Sequence, residues 1–243
     1  MANPTAAMIV IGDEILSGRT RDSNLHYLAK QLALVGIDLQ ESRIVLDVSN
    51  DIIDATNALR SRYTYVFTSG GIGPTHDDIT ADSIAAAFEV SIDVRADARA
   101  ILATNYKDPD KELTQARLRM ARIPDGATLI DNPVSRAPGF SVENVHVMAG
   151  VPAVFEAMLD GLLPKLGAGK RVLSHTVHTN MKEGDIANPL GAIARENPDV
   201  SIGSYPYYKD GTFGCNLVVR STEQNRLDEV AAQIEAAIQK LGE

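Results

Sequence analysis

Short apolar runs alternate with amphipathic stretches over the first two thirds of the chain, and that alternation predicts strands and helices in turn. Ala6 to Ile11 reads as a strand, while Leu25, Leu28, Leu32 and Val35 form one face of a helix that Gly36 stops. A strand near Leu39 to Val45, a helix from about Asp51 to Ser61 and a strand from Tyr65 to Thr68 continue the order. Beyond them Ile79, Ile84, Ala87 and Phe88 recur at helical spacing, and a further helical stretch surrounds Leu113, Ala116, Arg117 and Met120. Strands at Thr128–Ile130 and Val145–Met148 and a helix around Phe155, Met158, Leu159 and Leu162 complete this part. The pattern predicts an α/β fold, a parallel sheet covered by helices on both faces.

Pro164, Gly167 and Gly169 cluster where the composition changes, which predicts a domain boundary, with residues 1–169 forming the α/β domain and 170–243 a second one. The order then differs: a strand over Val172–Val177, a helix over Gly184–Arg195, strands over Val200–Tyr205 and Gly214–Arg220. A last helix over Leu227–Leu241 has Val230, Ala231, Ile234 and Ile238 on its apolar face. This predicts a small α+β domain. No internal repeat, coiled coil or low-complexity tract interrupts the chain.

Composition changes this picture in a few places. Of 243 residues, 44% are hydrophobic and 23% charged, ordinary for a protein with a real core. No apolar run is long enough to span a bilayer, and no Lys or Arg precedes the apolar residues of Met1–Gly12, so a cytoplasmic protein with no membrane partner is expected. Cys215 is the only cysteine, which excludes an internal disulfide and a cysteine zinc cluster and leaves it a packing role in a strand. The net charge of −9 opposes a broad nucleic-acid surface, although local amides, single cations or a metal still bind phosphate in an acidic protein.

Residues 68–80, TSGGIGPTHDDIT, are the stretch that folding explains least. Gly70, Gly71 and Gly73 let the backbone approach a ligand, and the helix behind them aims its N-terminal dipole at the same place, so anions should settle there. A tight turn that needs glycine only for geometry is the competing reading. Asp77 and Asp78 lie beside the turn, with Asp82 four residues past Asp78 and on its side of the helix if the first turn is already formed. One aspartate is accounted for as a helix cap, but the group is not. Carboxylates about 4 Å from a phosphate repel it by roughly 4 kcal/mol at intermediate dielectric. A divalent cation resolves the conflict, and magnesium suits one or two carboxylates, water and phosphate oxygens. His76 is a ligand, an acid or a solvated bystander.

Other candidates sit at neighbouring strand ends, the edge where open α/β sheets bind ligands. Gly12, Asp13 and Glu14 follow the first strand, Asp22, Ser23 and Asn24 precede the first helix, and Asp47 follows the second strand. Helix capping by Ser23 or Asn24, and turn formation by Asp13, stand as alternatives. Two more turns, around Pro138-Gly139 and Gly150-Val151-Pro152, offer either a second phosphate contact or punctuation. Gly203-Ser204-Tyr205-Pro206 reads as a hairpin or edge feature.

Together, GDEILSG with Asp22, Ser23 and Asn24, then TSGGIGPTHDDIT, APGF and GVP, resemble the competence/damage-inducible protein A (CinA) family of the molybdopterin-binding superfamily. Four motifs occur in the family's order, from near the N-terminus to about Phe155. A weaker likeness, through residues 183–187 and GSYP, extends to the N-terminal region of eukaryotic FAD synthases. The resemblance implies a three-layer α/β domain that binds a pterin or nucleotide pyrophosphate, then a small α+β domain of KH-like type. It implies roles for Gly70, Gly71, Gly73, Gly150 and Pro152 and catalytic roles for Asp78 and Asp47; these two aspartates, together with Asp82 on the strength of its spacing, are the expected ligands of magnesium or another divalent metal. Gly12, Asp13, Glu14, Ser69, Gly70, Gly71, Gly73, Thr75, Pro138, Gly139, Gly150 and Pro152 are the expected ligand contacts. Full-length members of the family add an amidase domain and this sequence stops at Glu243, so deamidation is not expected. Ser135-Arg136 and Met148-Ala149 depart from the family's Gly-Thr before APG and Leu-Pro before GVP.

Three functions remain open at this point: a metal-dependent hydrolase of ADP-ribose-type nucleoside diphosphates, a protein that binds or adenylates molybdopterin, and a non-catalytic nucleotide-binding or assembly subunit. A homo-oligomer is expected. No GXXG loop occurs between residues 183 and 241, so the small domain is read as structural and nucleic acid is not its expected partner.

Overall fold

The computed structural model describes residues 3–209 and 211–242, and the chain divides between Gly169 and Lys170 into two compact units. The larger unit begins with β1 (Thr5–Ile11), of which all but the first residue are buried. A strand so apolar on both faces belongs in the middle of a covered sheet. Ala7, Ile9 and Ile11 pack on one side with Val66, Ile52, Leu59 and Ile84, and Ala6, Met8 and Val10 pack on the other with Phe67, Leu28, Leu32 and Phe155.

The elements that follow are α1 (Asp13–Leu16), α2 (Asn24–Leu34), β2 (Asp38–Val45), α3 (Ser49–Arg60), β3 (Tyr65–Ser69) and α4 (Thr80–Ala87). An antiparallel ribbon of β4 (Ile92–Val94) and β5 (Arg122–Pro124) brackets α5 (Ala96–Ala103), α6 (Pro109–Glu112) and α7 (Gln115–Leu118). Then come β6 (Thr128–Ile130), β7 (Gly139–Val142), β8 (Val145–Met148) and α8 (Pro152–Leu162). The six-stranded sheet has the order β2-β1-β3-β8-β7-β6, with the first four strands parallel and β7 running antiparallel to both of its neighbours, β8 and β6. The expected α/β architecture is therefore present, with α3 and α4 on one face and α2 and α8 on the other.

The chain passes from β1 outward to β2 and then crosses back to β3 on the other side of β1. That reversal opens a crevice at the carboxyl ends of β1 and β3, where such sheets bind ligands. Gly36, with φ 70°, ends α2 as the sequence predicts, and the Ile37 amide donates to Leu32 O at 2.9 Å. The cap at the other end is Asp22 rather than Ser23 or Asn24: its carboxylate accepts from the amides of Asn24 (3.2 Å) and Leu25 (3.1 Å).

The smaller unit is a three-stranded antiparallel sheet in the order β10-β11-β9, built from β9 (Leu173–Thr179), β10 (Ser201–Lys209) and β11 (Thr212–Ser221). Helices α9 (Glu183–Glu196) and α10 (Gln224–Gly242) complete it. Cys215, Leu217 and Val219 alternate onto one face of β11 and meet Leu227, Val230 and Ile234 of α10, so the single thiol is a core residue, as expected. Residues 203–206 lie inside β10, an edge strand. No helix among the described residues is long and apolar enough to cross a membrane.

His146 of β8 is buried between the rings of Tyr65 and Phe67, with Nδ1 2.8 Å from Ser141 Oγ. Burial pushes its pKa down from 6.5 to about 4. The unfolded chain takes up this proton near pH 6.5 and the folded chain only near pH 4, so acid favours unfolding across that window. The full difference is worth about 3 kcal/mol, lost as pH falls. We expect His146→Phe to flatten the decline in melting temperature between these pH values, measured by calorimetry; an unchanged slope would assign the acid sensitivity elsewhere.

Candidate functional site

The glycine turn is shaped from behind by one residue. Thr80, the first of α4, donates its amide to Gly71 O (3.0 Å) and its hydroxyl to Gly70 O (3.0 Å). In a trans peptide the N–H points opposite to the C=O, so the amides of Gly71 and Ile72 both face away from Thr80. Neither these two nor the Gly73 amide finds an acceptor among the described residues. Gly70 and Gly71 have φ of 110° and 68°, which side-chain-bearing residues rarely adopt. Three consecutive unpaired amides on such a turn are the donors that an anion-binding concavity needs.

The turn forms part of the wall of a cleft of about 550 Å³, large enough for a dinucleotide-sized ligand. Gly12, Glu14, Asp47, Asp77 and Asp78 line its acidic part, and Met120, Ala137, Ala149, Val151, Pro152 and Val154 supply apolar surface. Carboxyl ends of β1, β2, β3 and β8 thus converge there, as the parallel sheet requires.

Asp13 and Asp47 hold each other across the ends of β1 and β2. The Asp13 amide donates to Asp47 Oδ2 (3.0 Å) and the Asp47 amide to Asp13 Oδ1 (3.1 Å). Burial raises the Asp47 pKa above its usual value, and the charges of Asp13, Glu14 and Asp77 add to the effect against the opposing Asp13 hydrogen bond. Asp78 closes its own turn, with Oδ2 accepting from the Thr75 amide at 2.7 Å and from the Thr75 hydroxyl. Gly73 is needed beside it, since a Cβ there would lie 2.6 Å from Asp78 Oδ2.

The structure does not bring every expected residue to the cleft. Asp82 pairs with Arg122 and lines a small crevice that shares Gly71, Ile72, Gly73 and Asp78 with the larger cleft, whose own lining does not include it. Helix α4 starts at Thr80, so Asp78 precedes it and the four-residue spacing no longer puts the two carboxylates on one helical face. Pro138 lines that same crevice. Gly139 serves packing, because a Cβ there would overlap the Val147 carbonyl and Met158. Ser69 is 3% exposed and bonded to Asn24, Thr75 serves Asp78, and His76 is almost wholly exposed. Arg119 is a contributor that the sequence reading did not single out: its Nη2 donates to Asp78 O at 2.8 Å.

The donor set suits a cation held by few protein ligands. Among the described residues no three His, Cys, Asp or Glu side chains form a ready metal cage. Asp47 is nevertheless a half-buried acid crowded by other acids, a situation that a divalent cation relieves, and Asp78 lines the same cleft with Oδ1 free of any protein donor among the described residues. Magnesium, which keeps waters and takes ligand phosphate oxygens, fits such a pair better than metals that need a closed shell of side chains.

Comparisons with known proteins agree with the fold. Residues 7–168 match the family described as probable molybdopterin binding domain, and residues 171–242 match the FAD synthase middle domain. A crystal structure of the protein CinA, of unknown function, from Thermoplasma acidophilum superposes with a TM-score of 0.62 at 32% identity, covering 67% of this chain and 97% of that one. A probable FAD synthase of Caenorhabditis briggsae is 32% identical over 93% of this chain and 48% of its own length. The chain thus spans about half of that relative. A protein of Archaeoglobus fulgidus is 34% identical over 82% of this chain and 84% of its own.

Proposed function

Because the chain belongs to the probable molybdopterin-binding-domain family, as a CinA-like member, we propose that its cleft binds a nucleotide pyrophosphate and hydrolyses it. The substrate class is the ADP-ribose type, in which adenosine diphosphate carries a second group; the FAD synthase names among its relatives concern a compound of the same adenosine-diphosphate kind. The observation that carries the proposal is the run of unpaired amides at Gly71, Ile72 and Gly73 facing an acidic cleft. Amides alone would welcome an anion that the neighbouring carboxylates repel, and the two features are reconciled by a diphosphate bound together with a cation.

In this reading Asp47 and Asp78 hold magnesium or a related divalent ion. When bound, the ion supplies charge that polarises a phosphoryl oxygen and favours attack by water. The turn amides bind the pyrophosphate oxygens as negative charge grows on them. Asp47 Oδ1, free of protein donors, is left to the ion, and the attacking water gives up its proton to solvent in the open cleft. Water adds at phosphorus, the P–O–P bond breaks, and two phosphate monoesters leave, one of them AMP. Apolar surface from Val151, Pro152 and Val154 covers the non-phosphate part of the ligand.

The test is incubation of the purified protein with ADP-ribose and magnesium or cobalt, with AMP followed by chromatography. AMP release that depends on the metal is expected. If instead molybdopterin binds tightly and no diphosphate is cleaved, the pterin-carrier reading that the family description favours replaces this one. A melting-temperature rise with nucleotide but no turnover would leave a binding subunit.

A further inference from the structure

Asn24 is a buried polar side chain of the larger unit that the proposed chemistry leaves unexplained. It is the first residue of α2, is 4% exposed, and keeps its backbone fixed through the Asp22 carboxylate. Its Nδ2 donates to Gly150 O (2.8 Å) and to Ser69 Oγ (2.7 Å). Gly150 O can only accept, so the amide nitrogen must face it, which fixes the orientation of the side chain. Asn24 Oδ1 is then left buried with no partner. A buried acceptor of that kind costs about 1–3 kcal/mol, so the residue is a poor choice for stability alone.

The two groups that Asn24 clasps are the entrances to the two glycine turns of the cleft. Ser69 leads into Gly70 and Gly71, while Gly150 leads into Val151 and Pro152. The turns also touch directly: a Cβ on Gly150 would lie 3.2 Å from the Cα of Gly70. Ser69 Oγ accepts from Asn24 and so keeps its own hydrogen for a further acceptor.

We propose that Asn24 is a positioning residue, a latch that sets the spacing between the amide cradle and the apolar wall and thereby the affinity for adenosine-diphosphate ligands. This rests on the cleft reading given above. A purely structural bond would lower the melting temperature and leave ligand affinity of the folded protein unchanged.

The test uses the full chain with Asn24→Ser, Ser69→Ala and the double variant, each checked for its melting temperature without ligand. Magnesium plus ADP-ribose is titrated calorimetrically, and amide hydrogen exchange is followed at the bonded amides of Gly70 and Thr80 on one turn and of Val154 and Phe155 on the other. Asn24→Ser is expected to weaken binding about 10-fold and to speed exchange in both turns together, with the double variant no weaker than Asn24→Ser because the two residues act as a unit. Ser69→Ala keeps the Gly150 bond and remains informative should Asn24→Ser fail to fold; it is expected to weaken binding by a smaller factor. Equal affinity in wild type and both single variants would overturn the latch while leaving the cleft reading intact. Absent binding by the wild type itself would instead sink the cleft reading, and exchange rates unchanged in both turns would sink the latch whatever the titration shows.

Discussion

Gly70→Ala is expected to destabilise the larger unit by about 4 kcal/mol and to abolish nucleotide binding at 25 °C. Two costs combine. Gly70 has φ 110°, and a Cβ there would overlap the carbonyl oxygen of Ile11 at the end of the central strand. That oxygen is backbone in a fully buried strand and cannot rotate away, so either β1 or the turn has to shift. The expected melting-temperature loss is roughly 10 °C, measured calorimetrically on the unligated protein. A shift below about 2 °C would mean that the turn relaxes freely and is not the rigid cradle described above. Gly126→Ala is a fair control for positive φ alone, since Gly126 has φ 78° with nothing near its would-be Cβ.

The second large effect concerns Asp78 and Asp47, which are expected to separate turnover from stability. Asp78→Asn keeps an oxygen for the Thr75 amide but loses the charge that holds the cation, and about 10²- to 10³-fold of the rate should go with it. Asp47→Asn keeps an acceptor for the Asp13 amide and should cost a similar factor in turnover, yet raise the melting temperature. The sign follows from the raised pKa of Asp47: the folded state holds that proton more readily than the unfolded one, so ionised Asp47 opposes folding at neutral pH. The wild type regains this stability as pH falls toward the raised pKa, whereas the Asn variant has it throughout. Steady-state AMP release together with melting curves from pH 5 to pH 8 tests the pair. A melting temperature lowered by Asp47→Asn would contradict the burial argument, and full activity in Asp78→Asn would remove Asp78 from the chemistry.

Much of the fold is legible in the chain because β1 is apolar on both faces and Leu25, Leu28 and Leu32 keep a helical period. Between residues 92 and 124 only the helical stretch around Ala116 and Arg117 is. Strands β4 and β5 have three residues each, too few for a period of two to stand out, and β7 is only four residues long. At the site, the glycines and the Asp47–Asp78 pair can be read from turn chemistry and strand ends. The place of Asp82 depends on where α4 starts, which the local sequence does not fix. Arg122, 40 residues away, then decides its partner. The Asn24 contacts span 45 and 126 residues, and nothing in the local sequence announces such a distance.

Thr80 carries a consequence for how sites of this kind are recognised. It reaches no cleft surface, yet its amide and hydroxyl together dictate which way two successive peptide planes turn. A census of atoms touching a docked ligand would omit it, and a substitution by valine, nearly identical in shape, would erase half of its instruction. Specificity here is written one layer behind the wall, in a residue whose importance is visible only when the direction of each carbonyl is asked for.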